Sequence, residues 1–346
     1  MNKNRIDKKN STRPILKLNK DRKNKKKLRL TNILCFLIFE LVFTACTFPF
    51  LLLYGPFENA KRTYVGSAMK TMNHQYLATW FLSDEKINSI IGSNSSGDTA
   101  NETTNISSVN IPKIKDDTIE LYDITENPKY KGYYLIIKDP TRVKIGVSSK
   151  LEIEGETTSE IAENNGAIAA VNGGAFVDKS TAQWTGTGAF PDGIVMSDGK
   201  DVWNSLDKDS KTDLFGITKQ GVLIVGKYSE NQLKELGVEE ALSFGPTLIV
   251  NGKENDITVD GGIAPRTVIG QRKDGAIILM VIDGRSLTSL GATYKEAQEV
   301  IYKLGAFNAI NLDGGKSTTM YYDGEIINTP SNSMGERAIP TAVIVK

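Results

Sequence analysis

The chain has 346 residues, with 42 Lys and Arg against 41 Asp and Glu, but 13 of the basic residues lie within residues 1–30, which hold only two acidic ones. The rest of the chain therefore carries 29 basic and 39 acidic residues. The only cysteines are Cys35 and Cys46, and the only histidine is His74. Residues 111–346 therefore cannot contain a disulfide, a thiolate nucleophile, a histidine-based zinc site or a Ser-His-Asp triad.

An apolar segment, residues 31–54, follows the basic tail and contains a single charged residue, Glu40. About 20 apolar residues are enough to span a bilayer, and positive charge before a span favours a cytoplasmic N-terminus. We therefore predict a cytoplasmic tail at residues 1–30, a single-pass anchor in the cell membrane at residues 31–54, and an extracellular C-terminal domain. A cleaved signal peptide, or lipid attachment at Cys46, is the alternative interpretation.

Residues 55–110 predict a connection between the anchor and the domain. Residues 58–90 are amphipathic, which is typical of a membrane-proximal stalk, and residues 92–110 are rich in Ser, Asn, Thr and Gly, which predicts a flexible linker. From residue 111 onwards short β-rich runs alternate with turn residues. The predicted strands in its first part are 118–124, 133–138, 143–148 and 168–171, with a helix at 158–164. Because strands outnumber helices, residues 111–346 predict an α+β domain with a mixed β-sheet and a few packed helices.

The C-terminal part of this domain has the pattern of a β-α-β unit. Buried strands are predicted at residues 276–282 and 306–312. The helix between them begins after Thr293, has Glu296 in the position of a capping box, and ends at Gly305. A connection of this kind predicts two parallel strands in one sheet.

Acids, glycines and hydroxyls follow the predicted buried strands. Asp283 and Asp313 each come directly after one strand of the β-α-β unit, so we expect both at the sheet edge where ligands bind. The loop after Asp313 contains Gly314, Gly315, Ser317 and Thr318. An earlier strand runs into Asn172, Gly173 and Gly174. These two glycines either allow a ligand to approach the backbone or only form a tight turn.

These motifs resemble those of the phosphodiester glycosidase family over about residues 111–346. The resemblance is carried, in order, by residues 171–176, 264–267, 283–285, 311–318 and 336–337. Lys316 departs from the pattern, because the family often has a small residue at this position. The resemblance implies hydrolysis of the C1–O bond of a sugar-1-phosphodiester, which family members perform on α-linked N-acetylglucosamine. The resemblance does not identify the substrate, and with the predicted extracellular placement we expect a phosphodiester-linked cell-surface or wall glycan.

The residues in these motifs suit such a reaction. Asp313 and Asp283, with Glu336 as a weaker candidate, are the predicted catalytic acids. A separation of their carboxyl groups of about 5 Å would indicate a retaining enzyme, and about 6.5–9.5 Å an inverting one. Planar guanidinium groups can bind phosphate bidentately. The predicted substrate-binding residues are Asn172, Gly173, Gly174, Arg266, Arg285, Gly314, Gly315, Ser317, Thr318 and Arg337.

Two other interpretations of these residues stay open. Asp283 and Asp313, with backbone carbonyls, would suit Ca²⁺ as a cofactor, because this ion prefers oxygen ligands. A non-catalytic module that binds or assembles phosphate-containing wall polymers would need the arginines but not the paired acids. Nucleic acid is not an expected partner, because the body is acidic and membrane orientation explains the basic tail.

Overall fold

The computed structural model describes residues 15–69, 75–92, 103–113, 115–125, 127–177, 187–257, 261–286, 288–332 and 335–346. The helices are α1 Ile15–Tyr54, α2 Glu58–Met69, α3 Tyr76–Thr79, α4 Asp84–Gly92, α5 Thr158–Asn164, α6 Glu230–Glu235 and α7 Tyr294–Lys303. The strands are β1 Ile119–Asp123, β2 Gly132–Ile137, β3 Val143–Val147, β4 Ala169–Asn172, β5 Phe176–Val177, β6 Phe190–Pro191, β7 Ile194–Ser197, β8 Lys200–Asn204, β9 Thr212–Thr218, β10 Leu223–Tyr228, β11 Val238–Ser243, β12 Thr247–Val250, β13 Lys253–Glu254, β14 Arg266–Arg272, β15 Ile277–Ile282, β16 Ala306–Leu312, β17 Met320–Tyr322, β18 Glu325–Ile326 and β19 Thr341–Val345. The predicted α+β class is confirmed.

The N-terminal part of the chain is helical. Within α1, residues Arg29–Tyr54 are long and apolar enough to cross a membrane, and little of this segment is buried. Helices α2, α3 and α4 pack together near its end through buried residues that include Leu53, Val65, Leu82 and Ile87. Residues 31–54 thus lie within an apolar helix, while the anchor role and the orientation of this helix stay predictions. His74 and residues 1–14 lie outside the described residues.

Three larger antiparallel sheets surround one core. Their strand orders are β1-β2-β15-β14-β16-β12-β13, β10-β9-β11-β7-β8 and β18-β17-β4-β19-β3. Each sheet contributes fully buried side chains to the common core, for example Leu279, Phe215 and Val343. The alternation of side chains along each strand turns one face of every sheet towards this core.

Strand β14 lies between the two strands of the predicted β-α-β unit. Both β15 and β16 pair antiparallel with β14, so they run parallel to each other without being neighbours. The sequence predicts a mixed sheet, whereas every pairing among the described strands of this sheet is antiparallel. Helix α7 has the predicted capping box of Thr293 and Glu296, and it packs Ala297 and Ile301 on the outer face of the sheet.

Three strands of the third sheet reach the same end of the molecule as β15 and β16. Strand β4 ends at Asn172, β17 begins at Met320 and β19 begins at Thr341, with Val171 paired to Met320 and Asn172 paired to Ala342. The ends of strands from two facing sheets therefore meet there. This junction positions the candidate site.

The last part of the predicted linker packs on the domain. The Thr104 hydroxyl donates to the carbonyl of Val225 at 3.1 Å, and the Asn105 amide donates to Oδ1 of Asn251 at 2.8 Å. The sequence predicts a flexible linker up to residue 110, whereas residues 103–110 make defined contacts with β10 and its neighbours. Residues 93–102 of the predicted linker lie outside the described part of the chain.

Candidate active site

The structure places Asp283 and Asp313 at the same sheet edge. Residues Arg266 and Thr267 of β14 pair with Ile282 and Leu312 respectively, so the two acids follow strands on either side of the start of β14. Residues at matching positions of strands that are two places apart in a sheet have Cα atoms about 10 Å apart. The predicted common edge is therefore correct, although β14 intervenes.

Asp283 is buried, with 3% of its surface exposed. Its Oδ1 accepts hydrogen bonds from Nδ2 of Asn328 at 3.1 Å and from the amide of Thr329 at 3.0 Å. Burial raises the pKa of Asp283, and these two donors and the charge of Lys131 offset part of the rise. Because both donors use Oδ1, a proton bound by this carboxyl group lies on Oδ2.

Asn172 connects the loop of Asp313 to two other strands. Its side chain is fully buried, and Nδ2 donates to the Asp313 carbonyl at 2.6 Å. Its Oδ1 accepts from the hydroxyl of Thr267 at 2.7 Å and from the amide of Thr319 at 3.2 Å. Asn172 therefore fixes the backbone that carries the half-buried Asp313.

A chain of hydrogen bonds continues from Asn172 towards Asp283. The Thr267 hydroxyl lies 3.4 Å from the Thr318 hydroxyl. The Thr318 carbonyl accepts at 3.1 Å from Nδ2 of Asn328, the same amide group that donates to Asp283. Polar contacts thus connect the backbone of Asp313 to the side chain of Asp283.

The glycines have two different roles. A Cβ atom on Gly173 would lie 2.4 Å from the Thr341 carbonyl oxygen, on Gly174 2.7 Å from that of Ser243, and on Gly314 2.7 Å from that of Pro265. These three glycines are therefore needed for the close approach of the protein's own backbone. Gly315 differs, because it has a φ of +61° and open space around its Cβ position.

The loop after Asp313 brings three hydroxyls into the interior. Ser317, Thr318 and Thr319 are at most 2% exposed. Among the described residues, Ser317 Oγ and Thr319 Oγ1 have no hydrogen-bond partner. Buried hydroxyls without a partner are costly, so these two oxygens are available to a ligand or to water.

Arg266, a predicted substrate-binding residue, lies on the face of the sheet that packs under α7. It pairs with Ile282, which belongs to the core under α7, and its guanidinium stacks 3.8 Å from the centre of the Tyr294 ring. Its Nε donates to the Ala292 carbonyl at 2.9 Å, and Nη2 donates to the Gly262 carbonyl. Arg266 thus holds the loop before β14, on the opposite face from Thr267.

The remaining predicted residues lie around the loop edges. Glu336 accepts from both the amide and the hydroxyl of Ser159 in the first turn of α5, so its contacts are structural. The Arg337 guanidinium lies 4.6 Å from the centre of the Phe176 ring, beside the loop that follows Asn172. Arg285 is exposed next to Asp283.

The surroundings of the two acids do not suit calcium. Asp283 Oδ1 faces two N–H donors, and Oδ1 of Asn328 accepts from the Met320 amide at 2.7 Å. Ca²⁺ needs six to eight oxygen ligands. No group of three or more Asp, Glu, His or Cys that could hold a metal occurs in the described part of the chain.

Two residues of this network, Thr267 and Asn328, have no signal in the sequence that would assign them to the site. Thr267 lies within the 264–267 stretch, but its role depends on the register of β14. Asn328 lies 45 residues from Asp283. Only the three-dimensional pairing brings them together.

The sequence profile of the phosphodiester glycosidase family matches residues 165–346. N-acetylglucosamine-1-phosphodiester alpha-N-acetylglucosaminidase from Bos taurus is 30% identical over 195 residues, which cover 51% of this chain and 35% of that protein. The SPbeta prophage-derived protein YomE from Bacillus subtilis is 32% identical over 116 residues, which cover 31% of this chain and 18% of that protein. The chain thus spans about a third or less of the length of these relatives.

A solved structure has the same fold. The zebrafish N-acetylglucosamine-1-phosphodiester alpha-N-acetylglucosaminidase catalytic domain, auto-inhibited by its pro-peptide, matches with a TM-score of 0.57 and 23% identity. The match covers 73% of this chain and 94% of that one. The match therefore extends over nearly all of that catalytic domain.

Proposed function

Because this chain belongs to the phosphodiester glycosidase family, we propose that it hydrolyses the C1–O bond of a sugar-1-phosphodiester, with α-linked N-acetylglucosamine as the expected sugar. The observation that carries the proposal is that hydrogen bonds of Asn172 and Asn328 hold the backbone of Asp313 and the side chain of Asp283 at one edge of the sheet. A binding module has no requirement for two acids held in this way. A glycosidase requires a pair of carboxyl groups beside the scissile bond.

The two acids take different roles in this proposal. Burial favours the neutral form of Asp283, and its Oδ2 is free to carry the proton, so Asp283 donates it to the leaving phosphate oxygen. Asp313 is half-buried at the end of β16 and acts on C1, either as nucleophile or as the base that activates water. A phosphate leaving group has a second pKa near 6, so it needs less help from an acid than a sugar hydroxyl does.

Hydrolysis in H₂¹⁸O tests which bond is cleaved. The full-length protein in detergent would be mixed with an α-N-acetylglucosamine 1-phosphodiester, and the label would be located by mass spectrometry. Label in the released sugar supports C1–O cleavage, and label in the phosphate contradicts it. The anomer that forms first, read by proton NMR, assigns Asp313: retention indicates a nucleophile, and inversion indicates a base.

We further propose that the reaction takes place outside the cell, on a surface glycan, with α1 as the anchor. The apolar segment Arg29–Tyr54 and the basic residues before it support this orientation. Protease added to intact cells should remove the C-terminal domain and leave residues 1–30 protected. Protection of the domain itself would contradict this topology.

A further inference from the structure

Two residues beside Asp283, Lys131 and Tyr133, are unused by the mechanism above. The Asp283 amide donates to the Lys131 carbonyl at 2.9 Å, and Tyr133 pairs with Val281 across β2 and β15. Lys131 is therefore directly opposite Asp283 in the continued strand register. Neither residue belongs to a motif that the sequence singled out.

The strand register puts these side chains on one face. Tyr133 and Val281 both pack towards the common core, and side chains two residues apart on a strand share a face. Lys131 and Asp283, each two residues from one of these, therefore face the same side. Burial raises the pKa of Tyr133, and the charges of Asp283 and Asp123 add to this rise, while the charge of Lys131 offsets part of the rise in the pKa of Asp283.

Both polar groups are uncommitted within the described part of the chain. Lys131 is exposed, and no carboxylate forms a close ion pair with its ammonium; Tyr133 is half-buried, and its phenol makes no hydrogen bond. Tyrosine hydroxyls in such positions ordinarily have a partner. Lys129, two residues earlier, differs from Lys131 because it forms an ion pair: its Nζ lies 2.5 Å from Oε1 of Glu296.

An ammonium group and a phenol O–H next to a carboxyl group form a site for an anion rather than for a neutral sugar hydroxyl. We propose that Lys131 and Tyr133 bind the phosphate of the substrate beside Asp283, and that Lys131 stabilises the charge that develops on it as the C1–O bond breaks. This assignment rests on the proposed hydrolysis and names the position of its leaving group.

Lys131 can stabilise the transition state because of how charge moves during the reaction. Overall, water supplies a hydroxyl group to C1 and loses one proton to a carboxylate of the pair. The C1–O bond breaks with its electron pair on the phosphate oxygen, which takes the proton that Asp283 carries. In an oxocarbenium-like transition state C1–O cleavage runs ahead of proton transfer, so negative charge builds up on the leaving oxygen before the proton from Asp283 arrives. Lys131 therefore interacts more strongly with the transition state than with the bound diester.

Substitution of Lys131 and Tyr133 in the full-length protein tests the proposal, with Lys129→Gln as the matched control. We expect Lys131→Gln to lower kcat about 10- to 100-fold and Tyr133→Phe to lower kcat/KM several-fold, because each removes one donor to the phosphate. Lys129→Gln should keep wild-type kinetics. Thermal unfolding of each variant verifies that it is folded. Wild-type kcat in Lys131→Gln would overturn the proposal.

Calorimetry with inorganic phosphate separates this subsite from the hydrolysis proposal. Wild type and Lys129→Gln should bind inorganic phosphate about tenfold more tightly than Lys131→Gln. If the wild type binds phosphate in this way but cleaves no glycosyl phosphodiester, the subsite stands and the proposed reaction fails. Equal phosphate affinity in all three proteins overturns the subsite, whatever the activity.

Discussion

Replacement of Asn172 by Ala should destabilise the protein more than any polar surface change. The substitution leaves three groups without a partner: the Asp313 carbonyl, the Thr319 amide and the Thr267 hydroxyl. Each buried group left unpaired costs about 1–3 kcal/mol. The Thr267 hydroxyl can turn to Thr318, which lies 3.4 Å away, so its cost is at the low end. The expected loss in the free energy of unfolding is therefore about 3–7 kcal/mol.

Urea titration of the full-length protein in detergent measures this loss, with hydrogen exchange at the Thr319 amide as the local readout. The matched control is Asn231→Ala, because Asn231 is exposed and donates to Asp209 at 2.8 Å. We expect less than about 0.5 kcal/mol for the control. A loss below about 1 kcal/mol for Asn172→Ala, with unchanged exchange at Thr319, would refute the role assigned to this side chain.

Two further predictions concern the acids. Burial raises the folded-state pKa of Asp283, so the ionised carboxylate is disfavoured in the folded state, and wild-type stability falls as pH rises from the unfolded pKa through the folded one. Asp283→Asn should therefore equal the wild type in stability near pH 3 and exceed it near pH 8, and it should be inactive because it lacks the catalytic acid. Thermal unfolding at both pH values checks the stability, and the opposite trend would contradict the prediction. Glu336→Gln should lower stability by about 0.5–1 kcal/mol, because it weakens the charge at the start of α5, and should leave turnover within about twofold of wild type. A decrease in turnover of about two orders of magnitude would instead place Glu336 in catalysis.

Helices and strands that are defined by short sequence patterns are predictable from the sequence. The helix at 294–303 follows from its capping box, since Thr293 and Glu296 are three residues apart. Strand β16 follows from an apolar run that ends in an acid and two glycines. The β-α-β connection predicts that β15 and β16 run in the same direction. It also predicts that Asp283 and Asp313 lie at the same edge of the sheet, and the structure confirms both.

Interactions between distant parts of the chain were not predictable in this way. The register of β14 places the side chains of Arg266 and Thr267 on opposite faces, and local signals do not fix that register, because a shift of one residue exchanges the two faces. Glu336 is a candidate acid in the sequence, but in the structure its carboxylate accepts hydrogen bonds from Ser159, which lies 177 residues away in the chain. The use of Gly173 for backbone packing likewise depends on Thr341.

The most direct test of the account compares two Asp-Gly sequences in the same chain. Asp313 ends β16 in the candidate site, whereas Asp323, with a φ of 50°, forms the turn between β17 and β18. Release of N-acetylglucosamine from its 1-phosphodiester would be followed by NMR for wild type, Asp313→Asn and Asp323→Asn. Asp313→Asn should lower turnover at least about 1,000-fold, since it removes a catalytic carboxylate, and Asp323→Asn should keep wild-type activity. Equal turnover by the two variants would contradict the assignment of Asp313 as a catalytic acid.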